Sequence, residues 1–365
     1  MALSKVDPNF LNVSQIGGRR NMIINGAMQV AQRGTSAANG AATSTVGYLS
    51  LDRMGYWGQN SSTFTMSQET DAPAGFTNSL KVNIDATRSG TGIYYAVSQR
   101  IEANACSQLD LGKSTAKTFT TSFWVKSSET GDFNIFFFNS GYGTCYTTTY
   151  TINSANTWEY KTVTIPGPTI GTWATGTGTG LEVGFKLGHG TNWQATNTDV
   201  WQLAENFRIG SAGTVNLTDT LNATWQITGL QVEVGDTATP FEHRSYGEEL
   251  VLCQRYCQRF GNGENNVLLG VAHTYASAAA YGVLKYHTTM RGLPSGTVSD
   301  TSVGAWRYRY GSGSNVDNLA GNIGVDQFGF DQCRFYIGTG IAPAASTGWV
   351  RGQSSSSYII LDAEL

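Results

Sequence analysis

Ile227–Phe260 reads ITGLQVEVGDTATPFEHRSYGEELVLCQRYCQRF, and far upstream Asn21–Ser36 reads NMIINGAMQVAQRGTS. The later stretch carries the one clearly written helix. Ser245 and Glu248 form an S-x-x-E capping box, in which each residue satisfies an otherwise orphaned backbone N–H of the first turn. Leu250, Cys253, Cys257 and Phe260 then fall on one helical face. Glu248 and Glu249 sit in the first turn, and Arg255 and Arg259 in the last two, all favourable to the helix dipole. Gly261 supplies a left-handed stop. The pattern predicts a helix over 246–261.

Around that helix the chain is written in strands. Leu80, Val82 and Ile84 alternate with Lys81, Asn83 and Asp85, the period-two signature of a half-buried strand. Phe119–Lys126, Phe133–Phe138, Trp158–Ile165 and Leu181–Leu187 are further runs of strand length, punctuated by Gly, Asn or Pro. Met22–Val30 reads as another, interrupted by a bulge or kink at Asn25–Gly26. Roughly eight strands at this spacing fit a two-sheet jelly roll with long loops. Beyond the helix, Ala305–Tyr310 puts three aromatics on one strand face and two Arg on the other, and Ser357–Leu365 reads as a final strand. The expectation is an all-β protein. Its parts are an N-terminal segment over 1–20, a jelly-roll β-sandwich over 21–245, a short linking helix over 246–261, and a second, smaller C-terminal β domain over 262–365.

Composition agrees. Of 365 residues only 13% are charged, against about 25% in ordinary soluble domains. The 44 Gly, with abundant Thr, Ser and Asn, suit strands joined by many turns. A net charge of −3 with scattered Lys and Arg gives no basic stripe for nucleic acid. No run approaches the roughly 18 apolar residues of a membrane helix, and residues 1–20 lack the apolar core of a signal peptide. Five Cys at irregular spacing make a poor disulfide framework, and read as buried packing residues.

The two quoted stretches resemble the opening and closing strands of a jelly-roll domain in bacteriophage and prophage tail-fibre proteins. There the opening runs N-L-I-I-N-G-x-M-x-V-x-Q-R-G, and the closing G-x-Q-L-E-x-G-x-x-A-T-P-F-E-x-R leads into E-E-L-x-L-C-Q-R-Y. Gln32–Arg33–Gly34, Asp52–Arg53 and Thr239–Glu242 match recurring positions, while Ala31 and Met54 stand where the family often has Trp. The resemblance covers 1–260 and fades beyond. It implies a carbohydrate-binding-module-like jelly roll in a phage virion protein, assembled in the host cytoplasm as a homotrimer. It also implies attachment of residues 1–20 to other virion proteins, with Val6, Phe10, Leu11, Val13 and Ile16 as the apolar contacts. The helix stripe Leu250, Cys253, Cys257 and Phe260 is the candidate trimer contact. A capsid decoration or head fibre bound to the major capsid protein is the alternative location.

No catalytic signature is written. The chain has no G-x-S-x-G elbow, no dinucleotide or P-loop glycine pattern, and four His without zinc spacing. No cofactor is implied, and no metal. The oxygen-rich stretches Gly261–Asn266 and Asn197–Asp199 leave a structural calcium open, without the pattern of an EF-hand. A glycan-degrading tailspike enzyme would need two carboxylates that sequence cannot place in an all-β chain. Binding of a host-surface glycan is therefore the expected function. Aromatic faces hold sugar rings, so Trp306, Tyr308, Tyr310 and Trp349 in the C-terminal part, and Trp193 and Tyr142 in the jelly roll, are the candidate ligand residues.

Overall fold

The computed structural model describes residues 19–365, apart from 41, 204–207, 262–266, 277–278, 303, 311–316, 321–322, 339–345 and 355. The candidate attachment residues Val6, Phe10, Leu11, Val13 and Ile16 lie outside the described residues. The chain divides into two compact units, one running to Glu249 and including Leu365, the other Leu250–Glu364.

In the first unit the strands are β1 (Ser36–Ala38), β2 (Ala42–Tyr48), β3 (Gly55–Gly58), β4 (Phe64–Glu69), β5 (Ser79–Ile84), β6 (Tyr94–Glu102), β7 (Phe119–Ser127), β8 (Gly131–Phe138), β9 (Thr144–Ile152), β10 (Glu159–Ile165), β11 (Thr179–His189), β12 (Gln202–Leu203) and β13 (Thr224–Val234). They form two antiparallel sheets, ordered β1-β4-β5-β13-β7-β10 and β12-β9-β8-β11-β6-β3-β2, stacked as a jelly-roll sandwich. Sequence reading finds fewer strands because β1, β3 and β12 are too short to show alternation. The longer ones are where the alternation puts them. In β7 the inward set is Phe119, Phe123 and Val125, all fully buried. Phe123 meets Phe185 and Tyr150 of the other sheet edge-on, at 5.0 and 5.1 Å between ring centroids. Trp225 is fully buried beside them, and its indole N–H donates to the Tyr150 hydroxyl at 3.0 Å. Burial of that N–H without a partner would cost about 1–3 kcal/mol, so the pairing fixes where Trp225 sits.

The opening segment departs from expectation. Met22–Val30 is not a ladder strand; it is an irregular strap tied down by side chains. Asn25 and Met28 are left-handed, at φ 62° and 57°. Asn25 folds its amide back onto the chain, donating to the Val30 and Asp52 carbonyls and accepting the Val30 N–H, an arrangement that Asn tolerates far better than a β-branched residue. The Gly26 carbonyl accepts the Leu230 N–H, and a Cβ on Gly26 would lie 2.2 Å from the Leu230 oxygen. Nothing larger fits.

The closing block clamps the strap. Glu242 accepts the backbone N–H groups of Arg20 and Asn21, each at 2.7 Å. Arg244 donates to the Asn21 and Ile23 carbonyls at 2.6 and 3.0 Å, and pairs with Glu242 and Glu249. Glu249 in turn accepts the Asn25 N–H at 2.5 Å. The two stretches that resemble tail-fibre proteins are thus one hydrogen-bonded device.

The helix α1 spans Tyr246–Gln254, with the expected capping box: Ser245 N–H to Glu248 at 2.9 Å, and Glu248 N–H to the Ser245 hydroxyl at 3.3 Å. It stops earlier than 261. In the second unit Cys257–Phe260 is a strand, β14, which pairs with β23 (Ile359–Asp362) in the register Cys257↔Asp362 to Phe260↔Ile359. Local helix propensity loses to a tertiary ladder. Buried Gln258 pins the strand by accepting the His287 N–H and donating to the Thr288 carbonyl. The proposed trimer stripe is corrected accordingly. Cys253, Cys257 and Phe260 are buried within their own unit, with Phe260 stacked on His287 at 4.8 Å, and Leu250 is half-buried.

The remaining strands of this unit are β15 (Leu268–Ala276), β16 (Ala279–Lys285), β17 (Ser295–Val298), β18 (Trp306–Tyr310), β19 (Asp317–Ala320), β20 (Ile323–Asp326), β21 (Gln332–Gly338) and β22 (Thr347–Gly352). They build a three-stranded sheet β14-β23-β17 and a seven-stranded sheet β19-β18-β22-β15-β16-β21-β20 around a core that includes Trp306, Tyr308, Phe335 and Leu361.

The clamp gives a stability prediction. Arg244 and Glu249 are 7% and 8% exposed, and breaking a buried pair by removing one partner costs about 3–5 kcal/mol. Arg244→Met should therefore lower the denaturant stability of the first unit by at least about 3 kcal/mol. An unchanged unfolding midpoint would show that the clamp contributes nothing.

Candidate functional site

The outward residues of β7 include Trp124 and Lys126, and here the sandwich carries a groove. Trp124 stands directly opposite Tyr160 of β10, with ring centroids 5.4 Å apart at 50°, and opposite Thr228 of β13 on its other side. Between Thr228 and Gln231 the β13–β7 register slips. Gly229 makes that bulge at φ 63°, and a Cβ there would lie 2.7 Å from the Phe76 ring and 3.2 Å from Trp124. The far wall is a triad of rings: Phe76 to Phe241 at 5.0 Å, Phe76 to His243 at 5.3 Å, and Phe241 to His243 at 4.9 Å. The groove so formed has a volume of about 1030 Å³ counting its open mouth and about 600 Å³ within it, the latter inside the range of small-molecule sites.

Its shape is fixed in advance. Glu233, buried beneath the rim, accepts both the N–H and the hydroxyl of Thr239, at 2.8 and 2.6 Å, and Gln231 donates to the Thr239 carbonyl. That holds Pro240 and Phe241 in place. Farther along β7, Lys126 pairs with Asp71 and lies over the Trp158 ring at 5.3 Å, while the Trp158 N–H also donates to Asp71. The Lys126 hydrogen bond holds the Asp71 carboxyl below its ordinary value. The flanking charges are thus neutralised internally, and the lining of the groove includes no carboxylate.

None of the residues expected from sequence lies in this groove. Trp306 and Tyr308 are 1% and 0% exposed, so the aromatic face of β18 turns into the core and presents no ring to a ligand. The Tyr308 hydroxyl donates to the Ser346 carbonyl, and Tyr310 stacks on Tyr308 at 5.5 Å. Arg307 and Arg309 take the opposite face, along with Trp349, which is 48% exposed and lies between Arg309 and Val271 in the register. Trp193 donates its N–H to the Gly92 carbonyl and packs edge-on against Tyr94. Tyr142 accepts a hydrogen bond from Arg100 and packs on Trp57, in a cluster where Glu182 pairs with Arg100 and accepts both the Trp57 N–H and the Ser98 hydroxyl. The groove residues escape sequence reading because they come from five separate segments. One signal was present: in FTTSFWVKS the alternation that buries Phe123 must turn Trp124 outward.

A second feature lies at one end of the same sandwich, between the β5–β6 connection, the turn after β11 and the segment before β13. It is a cleft of about 390 Å³ lined by hydroxyl, amide and glycine groups. Under it Lys186, 1% exposed, donates to Thr214 Oγ1 at 2.7 Å and Asn216 Oδ1 at 3.3 Å. Burial pushes this ammonium down to about 7, with Asp219 opposing the shift. Burial and the neighbouring Lys186 push His189 down to about 4. Among the described residues no group of three His, Cys, Asp or Glu side chains is arranged to hold a metal ion. All five cysteines are buried.

No family model and no curated protein matches the chain. Among solved structures the chain is similar to the enzymatically active domain of tailspike protein 4 of Bacteriophage CBA120, at TM-score 0.31 and 14% identity, over 59% of this chain and 21% of that one. It thus spans about a fifth of the tailspike chain. A carbohydrate-binding module in complex with β-1,4-galactotriose matches at TM-score 0.29 and 10% identity, over 60% of this chain and 100% of that one. A family 11 carbohydrate-binding module from Clostridium thermocellum, in complex with a mixed-linked tetrasaccharide, matches at TM-score 0.26 and 14% identity, over 57% and 99% of the two chains.

The buried base gives a pH prediction. Lys186 in the folded chain sits near 7, below its ordinary 10.5, so the unfolded chain binds more protons between those values and stability rises with pH there. His189, near 4 against an ordinary 6.5, adds a loss of stability as pH falls from 6.5 toward 4. The buried thiols of Cys106 and Cys145 act in the opposite sense above 9.0. Thermal unfolding of the first unit should therefore move upward between pH 7 and 9, and Lys186→Met should remove that rise. A wild-type profile flat across this window would contradict the assignment.

Proposed function

We propose that the protein binds a neutral glycan along the aromatic groove of its first unit, as a phage virion protein that attaches to a host cell surface. The observation that carries the glycan reading is the pair of aromatic walls, Trp124–Tyr160 and Phe76–Phe241–His243, set across the side-chain-free floor at Gly229. A pyranose ring has C–H bonds on its faces and hydroxyls around its edge. Rings that offer an apolar face, with water excluded between them, suit the first, and the backbone of the pinned rim suits the second. Contiguous exposed apolar surface of this kind on a folded domain marks a binding site.

Holding rather than cutting is the role this lining supports. Glycoside hydrolysis uses two carboxyl groups about 5–9.5 Å apart, and the groove has none along its walls or floor. The virion part of the proposal is supported by the tail-fibre resemblance of Asn21–Ser36 and Ile227–Phe260. In this reading residues 1–20 attach to other virion proteins, the assembly is a homotrimer, and the groove faces host glycans.

The test is binding of the full-length protein to host envelope polysaccharide and to a glycan array. Trp124→Ala and Tyr160→Ala should each weaken binding about tenfold, or about 1.4 kcal/mol, without release of oligosaccharide by the wild type. Circular dichroism would check that both variants keep their fold. Undiminished binding by Trp124→Ala would remove the groove from the function.

A further inference from the structure

We propose that the polar cleft at the end of the first unit is a second ligand site, separate from the aromatic groove, which takes a single neutral sugar unit. The case begins with its floor. Lys186 is buried without an ion-pair partner among the described residues, although stripping a cation of water is among the costliest burials a fold can make. Its hydrogen bonds fix Thr214 and Asn216, and both line the cleft. Thr214 is held further by donating to Asn134 Oδ1 at 2.6 Å, and Asn134 also orders Ser211.

Asn216 then sets the chemistry of His189. Its Oδ1 accepts the His189 backbone N–H at 3.0 Å, and its Nδ2 donates to the His189 carbonyl at 3.1 Å. A backbone N–H can only donate, so the orientation of this amide is settled. The same Oδ1 lies 3.1 Å from His189 Nδ1, which must therefore carry the ring proton. Nε2 keeps its lone pair and has no hydrogen-bond partner among the described residues. Burial keeps the ring neutral well below pH 6.5, so the lone pair stays available. Gly210 packs so closely on the ring that a Cβ there would lie 2.6 Å from Nδ1. The imidazole is locked in place.

The cleft therefore offers acceptors, the His189 Nε2 and the exposed Asp219 carboxylate, beside donors such as the Gln194 amide and the Thr91 hydroxyl. A compact ring bearing several hydroxyls answers both. Asp219 at the surface opposes a carboxylate or phosphate, while the Lys186 ammonium spends its hydrogen bonds below it on Thr214 and Asn216. The volume, about 390 Å³, suits one sugar unit rather than a long chain.

Saturation-transfer NMR and calorimetry on the full-length protein would test this, with glucose, galactose, mannose, N-acetylglucosamine and galacturonate as probes. At least one neutral sugar should bind at millimolar concentration. Asp219→Ala, and Thr91→Trp, which fills the mouth from an exposed position, should each weaken that binding at least tenfold, while Trp124→Ala leaves it unchanged. Failure of every neutral sugar to bind would overturn the proposal, as would a preference for galacturonate. Binding that follows Trp124 and ignores Asp219 would also overturn it, while leaving the groove reading intact. Loss of polysaccharide binding in Trp124→Ala, with monosaccharide binding retained, supports two independent sites.

Discussion

The first unit depends on one charged knot. Arg244 bridges Glu242 and Glu249, and the three together hold the backbone of Arg20–Asn25, which has no ladder of its own. Strap residues Met22, Ile23, Met28 and Val30 are buried in the sandwich, so its core is complete only when this segment is in place. An irregular segment cannot secure that burial through regular hydrogen bonds. Side-chain carboxylates and a forked guanidinium supply them instead, and these must be desolvated to do it. The resemblance between these blocks and tail-fibre sequences thus has a mechanical content: the letters that carry it include the clamp and the strap it closes on.

The same economy governs the groove. Gly229 is required twice over, by its left-handed backbone and by the rings that crowd the place where a Cβ would be. The register slip that it makes in β13 is what opens a floor between Trp124 and Phe76. Below the rim, Glu233 and Gln231 spend buried polar groups on the loop that carries Phe241, so the far wall is ordered before any ligand arrives. A ligand then meets a rigid surface and loses little to reordering it.

Much of the fold was legible in the residues. Leu80, Val82 and Ile84 alternate where β5 lies, and the capping box at Ser245 and Glu248 sits where α1 begins. What could not be read depends on partners distant in sequence. Cys257–Phe260 continues a helical spacing by its letters, yet β23 offers it a ladder, and a four-residue match in periodicity cannot anticipate that choice. Met22–Val30 has strand composition, yet two left-handed residues forbid a strand. The candidate sites fared by the same rule. For Trp306 and Tyr308 the strand face was legible but its direction was not, and Arg307 and Arg309 on the other face were the clue that the aromatics go inward. Trp124 and Tyr160 become neighbours only through the β7–β10 register, which no local pattern encodes.

The clamp has a consequence for how the first unit carries force. The chain comes in at Arg20 and leaves past Glu242, and these two points are joined by a hydrogen bond of 2.7 Å. Tension applied along the chain from either side passes straight between them, through Glu242 and Arg244, rather than across the ladders of the two sheets. The sandwich, with its groove, hangs beside the line of load. Pulling would stretch a small charged joint first, and the surface formed by Trp124, Tyr160 and Phe241 would keep its shape while that joint holds.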